Sequence, residues 1–366
     1  MARLSSHEVA ERRMRNLRLD GAPLATAQEV VACLTAVQAQ DYGPAKWSVG
    51  QRCMGLSDAD VERAYANGQI LRTHVLRPTW HFVAPNDIRW LLELTRPRVH
   101  ALSAFGRRRD GLDPRTLSSA GQAVARALRG GTQLTRNELG LRLHEAGIEA
   151  QGTRLAHILM HAELESLICS GVPRGKQHTY ALLDERVPPA PRVTREEALV
   201  ELTCRYFTSH GPASAKDFQW WSSLSPAEVR RGLDLASSHL QSDTLDGVTY
   251  WFGESAEPYT PTRRVHLLHM FDEYLVGYRQ TRGALDRAGI TGSLFATINV
   301  RSGAVILDTQ LAGTWRRSLG KDGLLIEARL REPFDAERTQ ALRAEADRHA
   351  AFLNLGTQVR LRLLSD

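Results

Sequence analysis

Three observations predict an α+β chain built from several units. Capped helices followed by short β-like runs recur along the first 254 residues. The texture changes after residue 255, where alternating apolar runs dominate. The length, 366 residues, allows two or more packed units on a soft prior of ~150 residues each.

The elements follow in order. Ser6 to Leu19, Thr26 to Gln38 and Ser57 to Asn67 read as helices. The strand pair ILRTHVLRPTWHFVA comes next, with Arg77-Pro78 near its bend, and a helix from Asn86 to Leu94 leads out. Pro114 to Leu128 is a helix. Thr135 with Glu138 is a capping box that opens Arg136 to Glu145, which Gly147 ends. Gly152 to Ser170 is a further helix, followed by two short β runs around a Pro-Arg-Gly turn. The linker Val187-Pro188-Pro189-Ala190-Pro191 precedes a second capping box, Thr194 with Glu197, opening Arg195 to Ser209. Ser225-Pro226 starts the helix Ala227 to Ser237, and LQSDTLDGVTYWFG is a hairpin turning at Asp246-Gly247.

Three helices and then a hairpin is the winged helix-turn-helix pattern. Three diverged copies are expected, at 1–95, 115–187 and 194–254. The runs SLFATINV, AVILDTQ, TWRRSL and LLIEARL, with a helix Asp335 to Asn354 and a last strand QVRLRLL, predict a β-rich, barrel-like unit at 255–366.

Composition excludes several classes. No apolar run approaches the ~20 residues of a membrane helix. The charged start MARLSSHEVAERRMRNLRLDG lacks a signal-peptide centre, so a cytoplasmic location is expected. Cys33, Cys53, Cys169 and Cys204 are scattered, which argues against zinc ribbons, redox pairs and a disulfide frame. His266 and His269 have no carboxylate or cysteine at ligand spacing and are read as structural. No metal and no cofactor are implied. The formal net charge is +6, and all basic residues except Lys46, Lys176, Lys216 and Lys321 are arginine. Arginine forks suit phosphates and groove edges, so a nucleic-acid partner is favoured.

Three segments carry a resemblance: VQAQDYGPA at 37–45, THVLRPTWHFVAPNDIRWLL at 73–92 and FDEYLVGYR at 271–279. With the order of modules, they resemble the bacterial winged-helix DNA glycosylases that unhook interstrand crosslinks, the AlkZ and YcaQ type. The resemblance covers essentially the whole chain. It implies a monofunctional glycosylase acting as a monomer on double-stranded DNA with alkylated or crosslinked purines. The family's catalytic element is a glutamine, an apolar residue, then glutamine or aspartate. Gln38-Ala39-Gln40 is its two-glutamine variant, which is similar to the enzymes conferring resistance to azinomycin.

The chemistry agrees with that assignment. A purine alkylated at N7 carries a positive charge and is already a good leaving group. The enzyme must then place a water against the anomeric carbon and stabilise an oxocarbenium-like sugar. An amide oxygen accepts a hydrogen bond and lies favourably beside developing positive charge, yet has no useful pKa. An undamaged neutral base would leave too slowly. Read as a helix end, the motif poses a problem: residues two apart point ~200° from each other. The side chains converge only if the helix stops between them, and Gly43-Pro44 suggests that it does. Asp41 is a rival base, with turn formation as its plainer role.

His74, Arg77 and Thr79, on the first hairpin, are candidate DNA contacts; an ordinary strand pair with Trp80 in the core is the plain alternative. Arg301, Arg316 and Arg317 are candidates from the last unit, where the family implies a hairpin probing the minor groove. The run Arg107-Arg108-Arg109 is placed between modules, where a solvated charge run is the simpler reading. Two rival functions stand beside the main one. A non-catalytic winged-helix regulator would not need Gln38 or Gln40. A broad alkylpurine glycosylase would treat simple adducts as well as crosslinks.

Overall fold

The computed structural model describes residues 4–254, 264–287, 289, 302–320, 323–355 and 359–364. Helix α1 (Ser6–Asn16) stands before a unit made of α2 (Ala27–Leu34), β1 (Ala36–Gln38), α3 (Tyr42–Gly50), α4 (Asp58–Ala66), β2 (Leu71–His74) and β3 (Trp80–Val83). After α5 (Ile88–Arg109) the order repeats: α6 (Pro114–Leu128), β4 (Leu134–Thr135), α7 (Arg136–Glu145), α8 (Gly152–Leu164), β5 (Ile168–Ser170), β6 (Thr179–Leu182). Past the short helix α9 (Leu183–Arg186) come α10 (Arg195–Ser209), α11 (Ala215–Ser222), α12 (Pro226–Leu235), β7 (Gln241–Leu245) and β8 (Val248–Phe252).

The strand pairing repeats with the element order. In the first two units, the short strand after the opening helix pairs with the second strand of the hairpin, giving β1-β3-β2 and β4-β6-β5. In the third, Ala213 makes a single bridge to Trp251 of β8 at the equivalent place. Three units thus share one topology: helix, short strand, two helices, hairpin. Their helix starts obey local chemistry. Thr26, Ser57, Thr135, Thr194, Ser214 and Ser225 each close a capping box with the acidic residue three positions on.

The first unit departs from the sequence expectation. It begins at α2, with α1 outside the repeat, and contains α3, a helix not foreseen. Gly43-Pro44 opens α3 instead of merely ending the helix before it, because proline is tolerated in a first turn where its missing N–H costs nothing. Helix α5 runs through Pro97 for 22 residues, so Arg107-Arg108-Arg109 form its last turn and not a free linker. Helix α8 stops at Leu164, and Ser166 turns with φ +56° into β5.

Two cores result. Residues of the first and third units merge in one, through Val31, Val37, Phe82, Leu91, Tyr206, Phe218 and Trp221. The second unit has its own, around Leu117, Val124, Leu139, Leu143 and Ile158.

The C-terminal part is a five-stranded sheet in the order β13-β12-β11-β10-β9, from β9 (Val265–His269), β10 (Ser302–Leu307), β11 (Gln310–Gly320), β12 (Gly323–Leu330) and β13 (Val359–Leu364). The expected barrel does not form among the described residues: the sheet is open, with β9 and β13 as its edges. The last helix, α14 (Ala336–Phe352), supplies the reason. It packs Leu342, Ala346 and Ala350 onto Val265, Val305, Trp315 and Ile326, burying the apolar face without closure. It also bridges β12 to its parallel partner β13.

The segment after β9, with the short helix α13 (Glu273–Val276), ties the units together. Asp272 is wholly buried and takes a two-pronged bond from Arg52, at 2.8 and 2.9 Å, and a hydroxyl bond from Ser48. Among the described residues no helix is long and apolar enough to cross a membrane.

Candidate active site

Gln38 ends the short strand β1 and Gln40 lies two residues past it, neither at a helix end. Helix α2 ends at Leu34, Thr35 adopts φ +69°, and the chain then pairs with β3 as Ala36↔Val83, Val37↔Phe82 and Gln38↔His81. The Ala39 N–H continues the pairing to the Trp80 carbonyl at 2.7 Å. Val37 and Ala39 are buried in the core, while the Gln38 and Gln40 side chains reach the bend between β2 and β3. The helical geometry that would point them apart is absent, because the helix stops at Leu34.

Both amides hold the bend between β2 and β3. Arg77 Nη2 donates to Gln38 Oε1 at 2.7 Å, and the Thr79 hydroxyl donates to Gln40 Oε1 at 2.6 Å. A guanidinium only donates, so Gln38 must present its oxygen to Arg77. His81 fixes Arg77 in turn. Its Nδ1 faces the Thr79 carbonyl at 3.1 Å and its Nε2 faces Arg77 Nη2 at 3.4 Å. That pattern needs the neutral ring with its proton on Nδ1. Complete burial, aided by the Arg77 charge, pushes the His81 pKa down to about 3 and keeps the ring neutral.

Glu273 supports the strand from behind. This wholly buried carboxylate accepts from the Gln38 backbone N–H at 2.8 Å, from Trp221 Nε1 at 2.9 Å and from His210 Nε2 at 3.3 Å. Burial alone would raise its pKa, but His210, Arg77 and the Gln38 N–H hold it below the usual value. Arg72, also buried, donates to the Ala39 carbonyl at 3.0 Å and lies 4.4 Å over the Trp80 ring.

The two glutamines differ in access. Gln38 is 8% exposed, whereas Gln40 is exposed and lines an open cleft of about 380 Å³. His74, Pro78, Trp80, Arg136, Met160 and Tyr180 are among the other walls. The cleft therefore lies where the first and second units meet. Gly106 of α5 lets α8 come close there: a Cβ on it would stand 2.7 Å from His157 Nε2.

Of the other candidates, His74, Arg77 and Thr79 gather around the two glutamines, whereas Arg316 and Arg317 lie on β11. His74 is nearly buried and bonds Glu163 through Nδ1, so it is not a free surface group. Arg77 is half-buried and engaged with Gln38, and Thr79 with Gln40. Arg316 is exposed on β11 and pairs with Glu327 at 2.8 Å. Arg317 bonds His349 at 2.8 Å; burial raises the pKa of Asp41, and the Arg317 and Arg72 charges offset that only in part. Asp41 caps no backbone group with its side chain at the start of α3. Arg301 lies outside the described residues. Among the described residues, one trio could offer ligands to a metal, His100, His161 and Glu165; it lines a different cavity between α5, α6 and α8.

Arg72 and Glu163 escaped the sequence reading. For Asp272-Glu273 in FDEYLVGYR the sequence favours a domain-joining role over orienting a ligand, and Glu273 does tie β1 to α11. Arg72 and Glu163 are brought in by packing between units, to which no local pattern points.

A family model described as DNA glycosylase AlkZ-like matches residues 31–352. An interstrand DNA cross-link repair glycosylase from Streptomyces sahachiroi is 26% identical over 325 residues, covering 83% of this chain and 85% of that protein. The solved structure of the Streptomyces sahachiroi DNA glycosylase AlkZ matches with a TM-score of 0.83 at 22% identity, covering 99% of this chain and all of that one. With the fold and most of the chain matched, this protein belongs to the AlkZ-like family of DNA glycosylases.

Proposed function

We propose that this glycosylase hydrolyses the N-glycosidic bond of bulky or interstrand-crosslinked N7-alkylpurines in double-stranded DNA, azinomycin-type adducts included. The observation that carries the reading is the pair of uncharged amides on the bend between β2 and β3, with Gln40 open to the cleft. Gln40 holds the water against the anomeric carbon through its amide oxygen. Gln38, deeper, locks Arg77 and thereby the bend that carries Thr79. The cationic base needs no acid to leave, so an uncharged amide can stand where an acid would otherwise be required.

The three repeated units act as winged helices around a duplex, at 1–95, 115–187 and 194–254, with the C-terminal sheet at 255–366 joining them. A crosslinked base is tethered to both strands, which disfavours full extrusion into a closed pocket. An open cleft suits approach from a groove. Arg316 lies on a strand that would face the backbone, and duplex affinity falls steeply with salt as phosphate counterions are released. The enzyme works as a monomer in the cytoplasm.

The test is base release from three duplexes: azinomycin-crosslinked, 7-methylguanine-containing and undamaged. Abasic sites are scored by alkaline cleavage. Release from the crosslinked duplex at a rate at least equal to that from 7-methylguanine supports the reading. Release confined to 7-methylguanine assigns the chain to simple adducts instead.

A further inference from the structure

The amide pair leaves one step without an agent. Water that adds to the sugar must lose a proton, and neither glutamine takes it at neutral pH. A second group on the same cleft is arranged to do so. His74 ends β2, pairs across the strand with Trp80 and lies 4.3 Å from its ring, centroid to centroid. Its Nδ1 bonds Glu163 of α8, a residue 1% exposed that is not among the cleft walls. The carboxylate accepts, so Nδ1 carries the hydrogen. The neutral ring is then left with its lone pair on Nε2, and His74 is itself a wall of the cleft beside Gln40. Burying a carboxylate–imidazole pair is a poor stability device, since desolvation offsets the attraction. It is the arrangement of an oriented base.

We propose that His74 is the proton acceptor of the hydrolysis and that Glu163 is its positioning residue. The inference rests on the reading of Gln40 as the water-binding amide. Water held by Gln40 adds to C1′ as the C1′–N9 bond breaks. The bonding pair goes to the purine and cancels its N7 charge. The proton of the water passes to His74 Nε2, and Glu163 stabilises the imidazolium. Solvent then takes the proton, and the products are a neutral alkylpurine and an abasic sugar.

Other ionisable groups face this ring or its cleft. Arg72 neighbours it on β2, Arg77 and His81 lie at the bend and on β3, and Arg136 and Tyr180 come from the second unit. His157 of α8 also lines the cleft, with its Nδ1 on Asp110 at 2.7 Å.

The experiment is single-turnover base release from a 7-methylguanine duplex between pH 5 and 9, with duplex affinity measured in parallel. The wild type shows an acid limb of about tenfold per pH unit. His74→Gln loses that limb and slows about 10²–10⁴-fold at pH 8 while still binding duplex. Glu163→Gln slows release with duplex affinity unchanged, and Glu163→Asp restores part of the rate, because the ring needs its anionic partner. His157→Gln keeps the limb, whatever its effect on rate. Should His74→Gln fold poorly over an unpaired Glu163, the double variant His74→Gln/Glu163→Gln supplies a neutral pair and shows the same loss. A wild-type rate and acid limb in His74→Gln overturns the role of His74 alone. No release by the wild type from this duplex or a crosslinked one overturns the glycosylase reading as well.

Discussion

At the residue scale the site depends on who donates to whom. Gln40 Oε1 has two lone pairs, and Thr79 occupies one of them at 2.6 Å. The other is free to accept from a water. Thr79 therefore aims the amide without consuming it. Thr79→Val keeps the shape and removes that bond. The expected outcome is a modest loss of base-release rate, about three- to tenfold, matching one neutral hydrogen bond of ~1 kcal/mol. Single-turnover kinetics with unchanged duplex affinity check it. The identities Gln38 and Gln40 were legible in the sequence because a short motif carries them. The tie of His74 to Glu163 was not: 89 residues separate the two, and only packing between units joins them.

At the element scale the decisive change is from helix to strand. The pattern from Thr26 to Gln38 reads as one amphipathic helix, yet the helix stops at Leu34 and a three-residue strand follows. The helix start at Thr26 was legible because it is local chemistry, and a capping box closes there. The stop was not, because Thr35 takes φ +69° without being glycine and β1 is specified by its partner β3, 45 residues on. Local propensity lost to tertiary pairing. Helix α3 then carries the motif toward the C-terminal sheet. Trp47 Nε1 donates to the Leu267 carbonyl at 2.7 Å, and Gly50 lies against Phe352. A Cβ at Gly50 would stand 2.3 Å from the Phe352 ring, so Gly50→Ala forces α3 and α14 apart. The expected cost is ~1–3 kcal/mol, read as a lower urea midpoint.

At the scale of the whole molecule, the recurring caps and hairpins were legible, since those signals are short-range. A domain-joining role for Asp272-Glu273 was also the favoured reading, and both are wholly buried and tie α3, β1, α11 and β9 together. Which elements they join was not legible, because packing decides it. Burial would raise the Asp272 pKa, yet Arg52 overrides it and holds it at about 2. The joining core also contains neutral histidines. Burial brings His81 to about 3 and His269 to about 4 in the fold, against 6.5 ordinarily. As pH falls through 6.5 the unfolded chain takes up these protons and the folded chain does not. Stability is therefore full above 6.5 and is lost progressively toward pH 4, at up to ~1.4 kcal/mol per pH unit for each histidine. Urea midpoints measured from pH 7.5 to 4.5 should fall steadily over this range; a flat profile down to pH 5 contradicts the account.

The central claim is that an exposed carboxamide just past β1 binds the water for a base that damage has already made ready to leave, with no acid needed to expel that base. Single-turnover release of the modified purine by the wild type, Gln38→Ala and Gln40→Ala, with duplex affinity alongside, tests it most directly. The account predicts that Gln40→Ala binds duplex as before but slows release ~10²–10³-fold. Gln38→Ala, acting through the bend, slows it less. Release by Gln40→Ala at the wild-type rate would contradict it.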